Sequence, residues 1–417
     1  MKNEPQLHET GDEITSWSAP SLETINAQLV PARWWKIYNR REEVPTATTN
    51  DSGKYSFTLS ASQSVGGFEW NPVGQLSTGH TPPAVECMLC PRKCVIAPNK
   101  LGKCSARVNR EGQLYARFYA RPVSTAIDPI EKKPLYHFLP TTPILSLGCF
   151  GCNLSCKFCQ NWTLSRSLPI NEVANTILPP ERILELALER KCPSVAFTYN
   201  EPTIWAEYVI ETARLCKQHG IKTVAVTNGM ISDQARDDFY DVIDAANIDL
   251  KAFRDDFYRN LTDSRLEDVK STLLYLAQRN DVWLEITNLI IPTLNDSESD
   301  LTAMCEWLVE KIGESVPLHF SAFFPAHKIT DLPRTPKATL ERAKSIAEGA
   351  GLKYVYLGNV DDEHGGETRC PKCGASLIRR SYRYATQITD ALIPDPADPR
   401  ARICQVCHTS IPGVFQL

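Results

Sequence analysis

From Ile144 onward the chain repeats one pattern of apolar and polar positions. Short runs rich in Val, Ile and Phe alternate with longer stretches whose apolar residues recur at helical spacing. The runs predict strands at 144–148, 194–199, 221–227, 246–251, 282–289, 317–323 and 353–357. The intervening stretches PPERILELALERK, TIWAEYVIETARLCKQHG, SDQARDDFYDVIDA, LEDVKSTLLYLAQR, SESDLTAMCEWLVEKIG and TLERAKSIAEGAG each predict a helix with one apolar face. Strand-helix alternation of this length implies an α/β fold with a parallel sheet, either a barrel or an open wound sheet.

The barrel reading makes a demand that the sequence itself can meet. Barrel chemistry sits at the carboxyl ends of strands, so polar residues should stand where strands stop. Cys152 follows the first strand, Asn200 and Glu201 end SVAFTYNE, Thr227 and Asn228 end IKTVAVTN, Lys251 ends NIDLK, and Asn288 lies late in WLEITN. His327 follows the sixth strand. Five consecutive strands therefore deliver polar groups to one mouth.

Outside this core, at 141–365, the periodicity fails and composition takes over. Residues 1–83 read as an irregular arm and insertion: a loosely ordered stretch at 1–30, and a Ser, Thr, Gly, Pro and Asn-rich segment at 43–82. Between them, a docking element at 31–42 carries Trp34 and Trp35, which are costly to leave in water. Residues 84–140 form a Cys-rich segment with Cys87, Cys90, Cys94 and Cys104, a strand-like alternation at 113–120, and the run DPIEKKPLYHFLP. His137 in that run is read as a hydrogen-bonded structural histidine. Residues 366–417 carry two C-x2-C pairs, Cys370 with Cys373 and Cys404 with Cys407, the spacing of a zinc-ribbon-like closed tetrathiolate site.

Charge narrows the partners. The 417 residues carry a net charge of −4 and show no Lys/Arg block, so nucleic acid is not an expected partner. With no apolar run near 18 residues and a polar, acidic start, a membrane is not expected either, and a cytoplasmic location is. Fifteen cysteines in that compartment argue for metal or redox chemistry over disulfides. Cys192, Cys216 and Cys305, which stand apart from the clusters, read as small buried hydrophobes.

The middle cluster is the most specific. In GCFGCNLSCKFCQNW, Cys152, Cys156 and Cys159 follow a C-x3-C-x2-C spacing that can wrap one metal centre. A 4Fe-4S cube held at three corners leaves one iron open, the vacancy that bound S-adenosylmethionine (SAM) needs. Cys149 allows a second parsing as a closed four-thiolate site. If the open iron chelates SAM, one electron from the cluster cleaves its sulfur-carbon bond to a 5′-deoxyadenosyl radical. Glu201 is then placed to accept from the methionyl amino group, and Asn200 and Asn228 to bond carboxylate or ribose oxygens. Lys251 would offset the carboxylate charge, Phe158 would pack near the adenine, and Asn288 would complete the mouth. The N-terminal quartet Cys87, Cys90, Cys94 and Cys104 suits either zinc or an auxiliary cluster.

These residues resemble the radical SAM superfamily. More closely, CMLCPRKC, DPIEKKPLYHFLP, GCNLSCKFCQNW and SVAFTYNEPTIWAEY in that order look like the AmmeMemoRadiSam-system radical SAM enzymes, relatives of the pyruvate formate-lyase activating enzymes. The resemblance implies a partial (β/α)6 TIM-type barrel, a 4Fe-4S cluster on Cys152, Cys156 and Cys159, and SAM contacts from Asn200 and Glu201. Activases usually show Gly-Gly-Glu where this chain has Tyr199-Asn200-Glu201, and Cys149 departs from the small polar residue expected there. Such an enzyme would take electrons from a reductant protein such as flavodoxin or ferredoxin and abstract hydrogen from a protein glycine or a small molecule. The competing class is a non-catalytic zinc or iron-sulfur protein with closed four-cysteine sites, acting in binding or electron transfer.

Overall fold

The computed structural model describes residues 29–38, 48–49, 55–56, 82–167, 177–381, 383–398 and 401–416. The predicted arm, apart from its last two residues, and most of the insertion at 43–82 lie outside the described residues.

The core is one eight-stranded sheet. Its strands are β1 (Ser124–Pro129), β2 (Pro143–Gly148), β3 (Ser194–Phe197), β4 (Lys222–Thr227), β5 (Ala245–Asp249), β6 (Trp283–Ile290), β7 (Leu318–Ala322) and β8 (Val355–Gly358). They lie side by side in chain order; β2 to β8 run parallel, and β1 pairs antiparallel with β2. The sheet is open, with β1 and β8 at its edges, which makes it a partial barrel. Helices α1 (Pro180–Glu189), α2 (Ala206–Gln218), α3 (Asp233–Tyr240), α4 (Leu266–Ala277), α5 (Glu298–Lys311) and α6 (Lys337–Gly349) cross between the parallel strands. Covered on both faces, such strands are built mostly from apolar residues. Val195, Phe197, Val224, Ile248, Ile286 and Phe320 are accordingly all buried, each contributing about 1.5–3 kcal/mol.

The second predicted strand, 194–199, stops two residues early. Tyr199 takes φ +70°, a left-handed turn that ends the extended run at Phe197 and redirects Asn200 and Glu201.

The run DPIEKKPLYHFLP, which has no periodicity of its own, fills the amino-terminal end of the partial barrel. Ile130, Leu135, Phe138 and Leu139 pack there against Ile144, Ala196, Val224 and Ala245. Glu285 of β6, fully buried, accepts from the Tyr136 and His137 amides, from Trp283 Nε1 and from His319 Nε2 at 2.6–3.0 Å. His137 bonds Tyr356 Oη at 2.6 Å and the Pro412 carbonyl at 2.7 Å, a structural role of the kind its sequence context predicts.

The C-terminal residues form two small three-stranded sheets. They dock on this plugged end, opposite the strands' carboxyl ends. Arg380 donates to the Tyr136 carbonyl at 2.5 Å and lies over the Tyr136 ring, while the Leu139 amide donates to the Val414 carbonyl at 2.6 Å. At the other edge of the molecule Trp35–Ile37 pairs antiparallel with Val85–Cys87, and Arg33 is held by Glu207 of α2 and Asp238 of α3, so the Trp-Trp segment docks on the core.

Candidate active site

Every parallel strand contributes to one cavity of about 210 Å³ at the carboxyl ends. Cys152 follows β2, Asn200 follows β3, Asn228 follows β4, Asp249 and Lys251 end β5, and Thr287, Ser321 and Asn359 come from β6, β7 and just beyond β8. Cys156, Phe158 and Cys159 line the same space.

The cysteine loop is built tightly. Gly148 ends β2, and Gly151 at φ +97° lets the chain turn where a Cβ would lie 2.2 Å from the Cys104 carbonyl oxygen. Asn153, fully buried, donates to the Met230 carbonyl at 2.8 Å and accepts from Asn228 Nδ2 at 2.8 Å, pinning the residue after Cys152 to the end of β4. Burial pushes the Cys156 thiol up to about 12, opposed by the Lys251 ammonium. A proton held that firmly in a site of sulfur donors is one that a bound cation must displace.

Cys149 parts company with the other three. Its sulfur is buried, accepts from Asn200 Nδ2 at 3.1 Å and faces the Glu201 carbonyl, and it does not line the cavity. The cavity is thus lined by three thiols, a donor set that fits a cube with one iron left open.

Four of the six predicted cofactor contacts meet at this cavity: Phe158, Asn200, Asn228 and Lys251. Two do not. Glu201 is fully buried with its carboxylate turned inward, accepting from Thr203 N at 2.9 Å, Thr227 Oγ1 at 2.6 Å and Asn228 N at 2.9 Å. It ties the ends of β3 and β4 together, and burial raises its affinity for a proton against those bonds. The left-handed turn at Tyr199 is the physical reason: it breaks the strand alternation that would have aimed Glu201 at the mouth. Asn288 is buried beneath the cavity, donating to the Leu250 carbonyl at 2.7 Å, with its own oxygen unpartnered.

Sequence reasoning missed Asp249. It lies two residues before Lys251, and its carboxylate is 2.8 Å from Lys251 Nζ. The i, i+2 spacing in NIDLK, which puts two strand residues on one face, was the available signal. Burial opposes the Lys251 charge, but Asp249 and the Cys156 sulfur outweigh it and hold the ammonium above its ordinary range. Asp128, Lys133 and Tyr199 form a second unforeseen group. Asp128 accepts from Lys133 at 2.6 Å and Tyr199 Oη at 2.7 Å, fixing the ring beside the cavity. Trp162 and His327 stack at 5.4 Å, so the residue after the sixth strand does meet the cysteine segment.

The C-terminal quartet is closed. Cys370 and Cys407 sulfurs lie 3.4 Å apart, Cys373 and Cys404 3.5 Å apart, and all four within 4.8 Å of one another. Four thiolates about 2.3 Å from one ion would stand about 3.8 Å apart, so this group can hold a single metal ion.

Comparison with known sequences bears directly on this geometry. Residues 148–308 match the family model of the Radical SAM superfamily. An uncharacterized protein of Methanocaldococcus jannaschii is 42% identical over 327 residues, covering 78% of this chain and 95% of that one. The chain belongs to the Radical SAM superfamily, whose members use a 4Fe-4S cluster and SAM. It is an enzyme, related to the pyruvate formate-lyase activating enzymes. Pyruvate formate-lyase 1-activating enzyme of Escherichia coli K12 is 25% identical over 225 residues, covering 49% of this chain and 89% of that protein. The activating enzyme of Clostridium pasteurianum is 25% identical over 182 residues, covering 40% and 72%. Among the described residues no helix is long and apolar enough to cross a membrane.

Proposed function

We propose that this protein reductively cleaves SAM at a 4Fe-4S cluster held by Cys152, Cys156 and Cys159 and uses the resulting radical to abstract hydrogen from a substrate. The observation that carries the reading is the single cavity to which all seven parallel strands bring polar groups beside three thiols. The bound cluster and SAM supply the electron transfer and the radical; the chain's own residues supply position and exclusion of water.

Lys251 and Asp249 present opposite charges to the carboxylate and amino group of the methionyl end. Asn228, held through Asn153, offers its amide to the same region, and Asn200 fixes the Cys149–Gly151 backbone. Phe158, backed by Phe257 at 5.7 Å, gives an apolar surface for a ring. The neutral polar wall of Thr287, Ser321 and Asn359 faces the remaining space and is left for substrate. We take a glycyl residue of a protein as the substrate, in keeping with the resemblance to activating enzymes, and a flavodoxin or ferredoxin as the electron donor. We assign zinc to the C-terminal quartet, whose sulfur spacing matches a single ion.

The test is anaerobic reconstitution followed by dithionite and SAM. Release of 5′-deoxyadenosine is expected; a quantified cluster with no release would refute the reading.

A further inference from the structure

The N-terminal quartet lies directly behind the cysteine loop. Cys87, Cys90, Cys94 and Cys104 all line one enclosed cavity of about 20 Å³, walled by Asn153 and Ile204. Arg107 lines it too. This side chain is 1% exposed; Nη1 donates to Glu207 Oε1 at 2.6 Å, whereas Nε and Nη2 have no partner. Two buried guanidinium nitrogens without acceptors are costly unless something anionic stands before them. Neutral thiols are poor acceptors, but thiolates on a metal are good ones.

We propose that Cys87, Cys90, Cys94 and Cys104 bind one divalent ion of the zinc class, and that Arg107 donates hydrogen bonds to the thiolates and compensates their excess negative charge.

Two observations bear on how many metal atoms the site takes. No three of these sulfurs lie within 4.8 Å of one another, as the C-terminal ones do, which taken alone would suit a wider cluster. The small space among the thiols favours a single ion. About 20 Å³ is roughly the room of one small sphere. A four-iron cube would need more room than this, and one wall residue, Asn153, is pinned to Met230 and Asn228.

The test is metal analysis of the full-length, anaerobically reconstituted protein, a readout independent of SAM cleavage. Two zinc and four iron atoms per chain are expected. Cys90→Ser with Cys94→Ser should leave one zinc and the same iron, and Cys373→Ser with Cys404→Ser should remove the other zinc. Should the first double variant fail to fold, Arg107→Met with Glu207→Gln removes both halves of the buried pair and leaves every thiol. That variant should release one of its two zinc ions to a competing chelator about 10–100-fold more readily. Zinc content untouched by the Cys90/Cys94 change, chelator release untouched by the Arg107/Glu207 change, or iron and sulfide above one cube that disappear with Cys90 and Cys94, would each overturn the proposal.

Discussion

The two ends of the same sheet bury charge in opposite ways. At the amino end, the buried Glu285 collects four donors from the chain, and His137, His319, Tyr356 and Arg380 pack around it. At the carboxyl end, Asp249 and Lys251 pair once and remain on the wall of a cavity with three thiols. Both ends hold buried or half-buried ionisable groups, so burial of charge by itself does not mark a site. What separates them is whether the carboxylate is saturated by donors from the chain, as Glu285 is, or left on a cavity wall, as Asp249 is.

The largest effect should come from breaking the open end. Cys156→Ser should abolish the cluster absorbance and 5′-deoxyadenosine release, while Cys149→Ser, whose sulfur lies outside the cavity, should retain both. Iron quantification and product chromatography decide it; loss of the cluster in the Cys149 variant would restore the four-thiolate parsing.

Breaking the closed end should act on stability. Glu285→Ala leaves the Tyr136 and His137 amides and the His319 ring without their acceptor, at a cost on the order of 3–5 kcal/mol. Chemical denaturation should show it as a lower midpoint, with SAM affinity retained by the folded fraction. A variant as stable as the parent would mean the plug is not a structural keystone.

The strand pattern made one end legible and hid the other. Seven parallel strands follow from local alternation, and the three cysteines and three polar strand ends, Asn200, Asn228 and Lys251, that share the cavity follow from where those strands stop. The plug does not, because its partners lie far off in sequence: Tyr136 meets Glu285, and Arg380 reaches back 244 positions to Tyr136. The direction of Glu201 was equally hidden, since it depends on one residue, Tyr199, taking a left-handed φ that only its surroundings enforce. Asn153 was hidden for a similar reason: in sequence it is merely the residue after a ligand.

A smaller effect should appear with pH, again at the closed end. Burial lowers the His137 pKa to about 4, opposed by Glu285 and the Pro412 carbonyl and assisted by Arg380 and His319; Tyr354 and Tyr356 also pack on the ring. The native state therefore refuses a proton that the unfolded chain accepts near 6.5. Stability contributed by neutral His137 is full above that value and falls as pH drops from about 6.5 to about 4, by on the order of 3 kcal/mol. Glu285, held below its ordinary range by His319 and the backbone amides despite burial, adds a loss of the same sign at lower pH. Denaturation midpoints between about pH 4 and 7.5 should flatten in His137→Gln; an unchanged slope would place the titration elsewhere.

The smallest expected effect sharpens the comparison most, because it sets two carboxylates a few strands apart against each other. Asp249→Asn removes the charge facing the cavity and leaves Lys251 unpaired, so SAM affinity should fall about 10-fold, the size of one lost charged hydrogen bond. Glu201→Gln replaces an acceptor of three donors by a group that can accept with only one atom. Its cost belongs to the joint between β3 and β4, about 1–3 kcal/mol of stability, and SAM affinity measured calorimetrically on the reconstituted protein should stay within about twofold. The reverse pattern, affinity lost with Glu201 and kept with Asp249, would mean that binding of SAM turns Glu201 out of the core and that the left-handed turn at Tyr199 is a hinge.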